Sequence, residues 1–428
     1  MTTDALSAHM QEKITPEKIA RVRERIGIRG AARGRRRTAP YFRNTVAHED
    51  TIRHFVHGYG DDNPLFTDAE YAAKTRWGGI VAPLQYLNTV TSADPHTPAI
   101  SPEQQEALSG GDPLRGIHVF VSGATTEQWR PVRPGRRFYS QGALVGVVEK
   151  RSQFAKLAVH LISANVTRDD TDTLIAYTSG LTIHTERETA ARQGKYRDVE
   201  RPHYTAEDLA RIDEAYENEF RRGTDKLYWE DVTVGEDLPL MVKGPLTVTD
   251  IIYWHVGGNE SGYNLCPLGL AYKNRKKIPA FYLPNQFGAW EAAQRCHWDD
   301  QLAQATGNPY AYDYGSMRTS WLAHYLHNWI GDDGWLWKFH VEHRRFDYIG
   351  DTTWIRGKVT NKYELDGPRF AVELDLWGEN QRGEVTTPGN ATVLLPSRRQ
   401  EDVLLPDPPA GATTMDDVFD ALIAEHKT

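Results

Sequence analysis

The sequence has little cysteine and no long apolar run. Cys266 and Cys296 are its only cysteines among 428 residues. Two cysteines are too few for a disulfide framework and are typical of a reducing compartment. No run approaches the roughly 18 consecutive apolar residues that a membrane helix needs. The first residues also lack the apolar core of a secretory signal peptide. We therefore expect a cytoplasmic protein without a membrane partner.

Positive charge is not in excess either, since the formal net charge is −8. This balance argues against nucleic acid as a partner, because such binding depends on cations that neutralise phosphates. The glycine patterns that cradle phosphates after a strand are missing, which disfavours nucleotide hydrolysis and Rossmann oxidoreduction. The sequence also lacks a Gly-x-Ser-x-Gly elbow, which disfavours a serine thioesterase. We expect no cofactor.

Two histidine pairs come close to the spacing of metal ligands. His324 and His327 are three residues apart in a predicted helix, and His340 and His343 have the same separation. No cysteine or carboxylate completes either pair as a recognisable third ligand. We therefore predict no metal site.

Along the chain, a short helical segment followed by several β-like runs occurs twice. Such an order suggests an antiparallel sheet around a helix, repeated by an internal duplication. The fold class predicted from it is α+β. The predicted segments are a helical and basic extension (1–45), a first domain (46–190), a charged connector (191–226), a second domain (227–400) with an insertion (260–295), and a tail (401–428).

Several motifs resemble one protein family. The stretch from Gly58 through Asp61-Asp-Asn63-Pro to Ala72, and the later Trp77-Gly-Gly-Ile-Val-Ala-Pro, resemble the N-terminal, FAS1-like dehydratase domain of MaoC-like proteins. In the second half, His297-Trp-Asp299 is similar to the helix entry of hydratase-2, the R-specific enoyl-CoA hydratases. The resemblance covers roughly residues 45–397. It implies a double hot-dog fold, in which two antiparallel sheets each wrap around a central helix.

The resemblance also implies a reaction. Family members hydrate the α,β double bond of a thioester of CoA or acyl carrier protein, or dehydrate the 3-hydroxyacyl form. Their pattern Gly-Asp-x-Asn-Pro-x-His supplies a carboxylate that can take a proton from water and an imidazole that can hold that water. A backbone N–H at a helix N-terminus stabilises the negative charge that develops on the thioester oxygen.

The first half departs from this pattern at one position. Asp61 and Asn63 match it, but Phe66 occupies the position of the histidine, and a phenyl ring cannot transfer protons. We therefore predict a non-catalytic first domain whose Asp61, Asn63 and Phe66 help to shape the acyl pocket. A simpler alternative for Asp61 is a turn residue that binds backbone N–H groups.

The second half retains the histidine without an obvious aspartate. His297 is the predicted catalytic imidazole, and its alternative is a buried, hydrogen-bonded histidine. Gly315, at the family position for the start of the core helix, is the predicted oxyanion donor, with a plain turn glycine as the alternative. The residue five positions before His297 is Ala292, which is no acid.

The missing acid could come from elsewhere in the second half. Asn259 is predicted to orient water. Glu260 beside it is the preferred substitute base, and its alternative is a surface or helix-end carboxylate. Asp299 and Glu291 are further candidates. Trp298 and Arg318 are added as substrate-binding residues.

The insertion combines aromatic with basic side chains. Loops of this length are commonly functional or disordered, and the aromatic residues argue against disorder. One interpretation is a lid over the acyl tunnel with its basic run near the CoA phosphates. The other is an interface or surface loop.

Three functions remain in competition. The first is an enoyl-thioester hydratase or 3-hydroxyacyl dehydratase. The second is an acyl-CoA-binding double hot dog without hydratase activity or with a different lyase step, and the third is a thioesterase on the same fold. The expected partner is an acyl-CoA or acyl carrier protein thioester. A fused chain could act as a monomer, but we expect a homodimer.

Overall fold

The computed structural model describes residues 12–30, 44–151, 157–186, 199–258, 265–409 and 411–426. The strands in this part of the chain are β1 (Thr91–Ala93), β2 (His118–Gln128), β3 (Phe138–Lys150), β4 (Ala158–Asp169), β5 (Leu174–Thr185), β6 (Met241–Lys243), β7 (Tyr282–Pro284), β8 (Trp290–Ala292), β9 (Trp335–Glu342), β10 (Thr353–Leu365), β11 (Arg369–Asn380) and β12 (Val385–Leu395).

The α-helices in the same ranges are α1 (Pro16–Arg23), α2 (Glu49–His57), α3 (Pro64–Thr67), α4 (Ala69–Ala72), α5 (Leu87–Val90), α6 (Pro102–Ala107), α7 (Ala206–Glu217), α8 (Val248–Val256), α9 (Leu268–Lys277), α10 (Asp300–Ala305), α11 (Gly315–Ile330) and α12 (Met415–Glu425).

Ten strands form one continuous sheet in the order β1-β3-β4-β5-β2-β9-β12-β11-β10-β6. The pairings are antiparallel except for the short β1, which runs parallel to β3. The sheets of the two halves meet where β2 pairs with β9, from Gly123 opposite Glu342 to Glu127 opposite Lys338. The predicted α+β double hot dog is confirmed, with its two sheets joined edge to edge.

Alternating side chains explain why each sheet covers a core on one face. In β10, Ile355 and Val359 are buried, whereas Arg356 and Lys358 between them are exposed. This period of two is that of a strand with one face on the core. One apolar core contains residues of both halves, including Phe55 and Trp321.

The central helix of the second half is α11. Nearly all its side chains are buried, as expected for a helix enclosed by other elements. It ends at Gly331, whose positive φ of 69° favours glycine. The corresponding segment of the first half is much shorter, a 3₁₀ turn at Leu84–Tyr86 followed by α5. Only the second half therefore has the long central helix of the predicted fold.

Among the described residues, no helix is long and apolar enough to cross a membrane.

Candidate functional site

His297 ends a 3₁₀ helix, Ala293–His297, that follows β8 directly. Arg295 in this helix fixes the preceding hairpin. Its Nη1 and Nη2 donate hydrogen bonds to the carbonyl oxygens of Leu283 and Pro284 in β7, at 3.0 and 2.8 Å. Arg295 therefore connects the hairpin of the insertion directly to the helix that carries His297.

The imidazole of His297 has a defined tautomer and orientation. Its Nδ1 lies 2.8 Å from the carbonyl oxygen of Tyr312. A carbonyl only accepts, so Nδ1 carries the proton and Nε2 keeps its lone pair. The ring stacks on Tyr314 with 3.7 Å between ring centroids. Burial lowers the pKa of His297 to about 4. At neutral pH this side chain is an uncharged acceptor.

A second neutral imidazole lies on the other side of Tyr314. His255 in α8 has its Nε2 3.1 Å from the hydroxyl oxygen of Tyr314. The indole of Trp298 meets the His255 ring edge-on, with centroids 5.9 Å apart. Burial lowers the pKa of His255 to about 4. These contacts assemble a cluster of polar and aromatic side chains from elements that are well separated in the sequence.

Gly315 begins α11 directly after Tyr314, and so lies beside the stacked His297. The first N–H groups of a helix have no acceptor within the helix, and the helix dipole makes this end electropositive. A Cβ at position 315 would lie 2.7 Å from Cδ2 of His343, a separation that real Cβ atoms essentially never show. The close packing of His343 therefore restricts this position to glycine.

Arg318, one turn into α11, is almost completely buried. Its Nη1 donates to the carbonyl of Arg345 at 2.6 Å and to the hydroxyl of Thr387 at 2.8 Å. Its Nε lies 2.6 Å from a carboxylate oxygen of Asp313. This placement favours a structural role, holding the start of α11 against the sheet, over the predicted contact with substrate.

Trp298 is partly exposed and lies at the edge of this cluster, where it contacts His255. It also borders a surface cavity of about 360 Å³. The residues that line this cavity are Gln286, Glu291, Trp298, Asp299, Asp300 and Gln301. Trp298 is therefore accessible to a ligand in this cavity.

The predicted base and its neighbour, Glu260 and Asn259, lie outside the described residues. The last described residue before them is Gly258, which follows α8. Within the ranges that the structure describes, no carboxylate makes a hydrogen bond or an ion pair with His297. The structure therefore brings together His297 and Gly315, and among the described residues no carboxylate bonds to this imidazole.

The two alternative acids have other partners. Asp299 accepts a hydrogen bond from the backbone N–H of Leu302 as the N-cap of α10, and pairs with Nε of Arg295 at 3.0 Å. Glu291 accepts from the side-chain amide of Asn285 at 3.1 Å. Their engagement in capping and in the hairpin favours a supporting role for both.

The internal duplication is visible in the local geometry. Asp68 caps α4 as Asp299 caps α10, in both cases by accepting backbone N–H bonds. Phe66 precedes the first cap by two residues and His297 precedes the second by two. The two side chains therefore occupy corresponding positions, which supports reading Phe66 as the replacement of a histidine.

Asp61 of the first half has a histidine partner that the sequence analysis missed. The fully buried carboxylate has Oδ1 3.3 Å from Nε2 of His324, in the central helix of the second half. Oδ1 also accepts the backbone N–H of Asn63 at 2.9 Å, and Oδ2 accepts the hydroxyl of Tyr59 at 3.3 Å. Burial raises the pKa of Asp61 to about 6.

Further polar groups complete this buried cluster. Nζ of Lys243 lies 3.0 Å from Nδ1 of His324, and the side-chain amide of Asn328 lies 3.1 Å from Nε2. Glu219, from the chain just after α7, approaches Nε2 at 3.4 Å. Burial and the charge of Lys243 hold the pKa of His324 well below its usual range. The cluster joins both halves and the connector.

The four-residue spacing of His324 and Asn328 could have suggested that these two members of the cluster lie together. His324 and Asn328 are four residues apart and share a face of α11. Nothing in the sequence, however, indicates which carboxylate they meet. The sequence analysis considered His324 only as a metal ligand. In the described ranges, no group of three His, Cys, Asp or Glu side chains could hold a metal ion.

Phe66 packs edge-on against His327, with 5.3 Å between ring centroids. Asn63 caps α3 by accepting the N–H of Leu65. Both Asn63 and Phe66 line a small, mostly apolar cavity of about 40 Å³. The other lining residues are Leu65, Trp77, Val81, Ala82, Gln128, Pro131, His327, Gly331, Gly334, Trp335 and Leu336.

Replacing His327 by methionine is expected to change how stability depends on pH. Burial lowers the pKa of His327 to about 4. The unfolded chain therefore takes up a proton near pH 6.5, before the folded one does, so this histidine costs stability as pH falls from 6.5 towards 4. In urea unfolding at pH 7 and pH 5, the variant should gain stability relative to the wild type at the lower pH. A difference between the two proteins that does not vary with pH contradicts this assignment.

Comparisons with known proteins agree with this architecture. Residues 36–174 match the family model described as a FAS1-like dehydratase domain region. A solved structure named MaoC-like dehydratase is 17% identical and superposes with a TM-score of 0.54, covering 83% of this chain and 95% of that one. A MaoC domain protein dehydratase, described as putative, from Chloroflexus aurantiacus J-10-fl is 12% identical, with a TM-score of 0.47 and coverage of 84% and 98%.

No curated protein matches the sequence significantly. At the identities found among solved structures, the likeness concerns the fold. The match of residues 36–174 adds the domain type of the first half. The chain therefore has the double hot-dog fold of the solved MaoC-like dehydratase, and residues 36–174 are similar to a FAS1-like dehydratase domain region.

Proposed function

We propose that this protein is a hydro-lyase that adds water to an α,β-enoyl thioester, or removes it from a 3-hydroxyacyl thioester, at the pocket of His297. One observation carries the proposal. An uncharged imidazole with its Nδ1 proton held by the Tyr312 carbonyl stacks on the residue that precedes the N-terminus of the buried helix α11. A proton acceptor and an electropositive backbone end are the two groups that thioester hydration needs.

The geometry supports the following sequence of steps. Nε2 of His297 takes a proton from water as the oxygen of that water bonds to Cβ. The electron pair of the double bond moves towards the thioester, whose oxygen gains negative charge near the N–H of Gly315. The proton then passes from His297 to Cα, so water has been added and the imidazole is restored. Asn259 would orient the water, and Glu260 would share the proton transfer.

The first half has a different part in this proposal. Asp61 and His324 are completely buried and bonded to other protein groups, so they support the contact between the halves. Phe66 and Asn63, on the wall of the small cavity, would shape the region that receives the acyl chain. The acyl carrier would be CoA or an acyl carrier protein.

Replacing His297 by glutamine is expected to lower turnover at least ~10²-fold, which is typical of the loss of an acid–base group. The measurement follows the absorbance of the enoyl-thioester band with crotonyl, mesaconyl, medium straight-chain and ring-bearing substrates. His340→Gln is the matched control, since His340 bonds to Thr125 at the junction of β2 and β9 and not to the pocket. Equal turnover of His297→Gln and the wild type would contradict the proposed catalytic role of His297.

A binding protein without hydratase activity is the second candidate. It is favoured by the finding that no described carboxylate bonds to His297. In that case the enoyl band stays constant with every substrate, while acyl thioesters bind measurably to both the wild type and His297→Gln. Release of free thiol from a saturated acyl-CoA would instead indicate a thioesterase.

A further inference from the structure

The described part of the insertion carries a concentrated positive charge on a chain with a net charge of −8. Four cations occur within five residues at the end of α9. They are Lys273, Arg275, Lys276 and Lys277. The lysines are exposed and Arg275 is partly buried. No described carboxylate forms an ion pair with Lys273, Arg275 or Lys276, so their charge is not neutralised locally within the described ranges.

Aromatic rings share the surface of these cations. The guanidinium of Arg275 lies 5.1 Å from the ring centroid of Trp290 and 5.7 Å from that of Tyr272. The ammonium of Lys276 lies 5.3 Å from the ring of Tyr272. On the opposite side of α9, the buried Asn274 donates to the hydroxyl of Tyr282 at 3.0 Å. This contact leaves Tyr272, Lys273 and Lys276 on the solvent-exposed part of α9.

Large apolar side chains on the same insertion are also exposed. Leu268 at the start of α9 is 91% exposed, and Phe287 at the tip of the β7–β8 hairpin is 82% exposed. Trp290 and Tyr272 are more than half exposed. Single exposed apolar residues need no explanation, but several beside a cluster of cations indicate a contact surface.

We propose that this surface docks on an anionic lipid bilayer. We call it the insertion face, defined by Leu268, Tyr272, Lys273, Arg275, Lys276, Lys277, Phe287 and Trp290. Cations beside Trp, Phe and Leu are the composition of elements that lie in the membrane interface. The cations meet lipid phosphates, and the apolar side chains enter the boundary between headgroups and acyl chains.

A bilayer would contact both the cations and the exposed apolar side chains of this face, whereas a soluble phosphate compound would contact fewer of them. A phosphorylated nucleotide could use the cations and stack on Trp290, but it would leave Leu268 and Phe287 in water. The chain as a whole has a net negative charge, so the local excess of cations on the insertion face favours an anionic surface over a neutral one. Because Arg295 braces the hairpin to the helix of His297, docking would hold the His297 pocket close to the lipid. This proposal differs from the expectation of no membrane partner.

The test is sedimentation of the full-length protein with vesicles of phosphatidylcholine alone or mixed with phosphatidylserine. We expect binding to the anionic vesicles, weak binding to the neutral ones, and release by 0.5 M salt, which shortens the range of electrostatic attraction. The double variant Lys273→Glu/Lys276→Glu should lower binding at least ~10-fold, because each cation near an anionic surface contributes several-fold. Lys74→Glu/Arg115→Glu reverses two exposed charges elsewhere and should bind like the wild type.

A second double variant, Leu268→Ser/Phe287→Ser, tests the apolar contribution without changing charge and should also weaken binding. Its thermal unfolding midpoint shows that it folds. Absence of wild-type binding to anionic vesicles overturns the proposal. So does equal loss of binding in the Lys74→Glu/Arg115→Glu control. Release of the protein by micromolar adenosine 3′,5′-bisphosphate, with no effect of Leu268→Ser/Phe287→Ser, would show a surface for soluble phosphates instead.

Discussion

Replacing Gly315 by alanine is expected to lower kcat of thioester hydration about 10²-fold with a smaller change in KM. The new Cβ would lie 2.7 Å from Cδ2 and 2.9 Å from Nε2 of His343. Either the start of α11 or the imidazole must then move. Displacement of a catalytic group by ~1 Å can cost on the order of 10²-fold. Because the N–H stabilises charge that is largest in the transition state, the loss falls mainly on kcat. Steady-state kinetics on the preferred enoyl thioester measures it.

Two further variants separate a local effect from a general one. Gly180→Ala adds a methyl group in β5 where no atom lies within 4 Å, and should retain wild-type kinetics. His343→Ala removes the ring against which the new methyl group collides. If the clash is the cause, Gly315→Ala in the His343→Ala background should cost much less than in the wild type. Equal costs in both backgrounds would show that displacement by His343 is not the cause.

Replacing Asp61 by alanine is expected to destabilise the protein by about 3–5 kcal/mol, the usual result of leaving a buried charge, here that of Lys243, without a nearby counter-charge. Its carboxylate is completely buried beside His324, with Lys243 and Glu219 in the same cluster. Without it, the backbone N–H of Asn63 also loses its acceptor. The measurement is the free energy of unfolding in urea at pH 7.

The adjacent Asp62 provides a control for this prediction. It forms an ion pair with Arg221 but is exposed, and exposed pairs contribute about 0–1 kcal/mol. Asp62→Ala should therefore be mild. Asp61→Asn should fall between the two alanine variants, because the amide oxygen can still accept the N–H of Asn63. A loss for Asp61→Ala no larger than that for Asp62→Ala is incompatible with a cluster that joins the halves.

Asp61→Ala also tests whether the first half of the chain takes part in catalysis. If the first half is non-catalytic, the folded fraction of the variant should hydrate thioesters at a rate within ~10-fold of the wild type. A loss of kcat as large as that expected for His297→Gln would place Asp61 and His324 in the reaction. That outcome would contradict the proposed role of the first half.

The sequence could predict those features of the candidate site that depend on residues close together in the chain. Phe66 and His297 each precede a capping aspartate by two residues, so the loss of the histidine in one half and its presence in the other can be read directly. The family resemblance placed Gly315 at the start of the core helix, and α11 begins at this residue. Asn259 and Glu260 stay predictions, because they lie outside the described residues.

The sequence alone predicted the α+β architecture and the short motif in which His297 precedes a capping aspartate. These depend on strand and helix periods and on short motifs, which act over a few residues. Three contacts could be seen only in the folded protein. Asp61 lies beside His324, the buried Arg318 donates to the carbonyl of Arg345, and His343 leaves no room for a side chain at Gly315. Each of these is a contact between elements far apart in the chain, set by how the two sheets and α11 pack. The alternation of side chains along one strand cannot specify that packing.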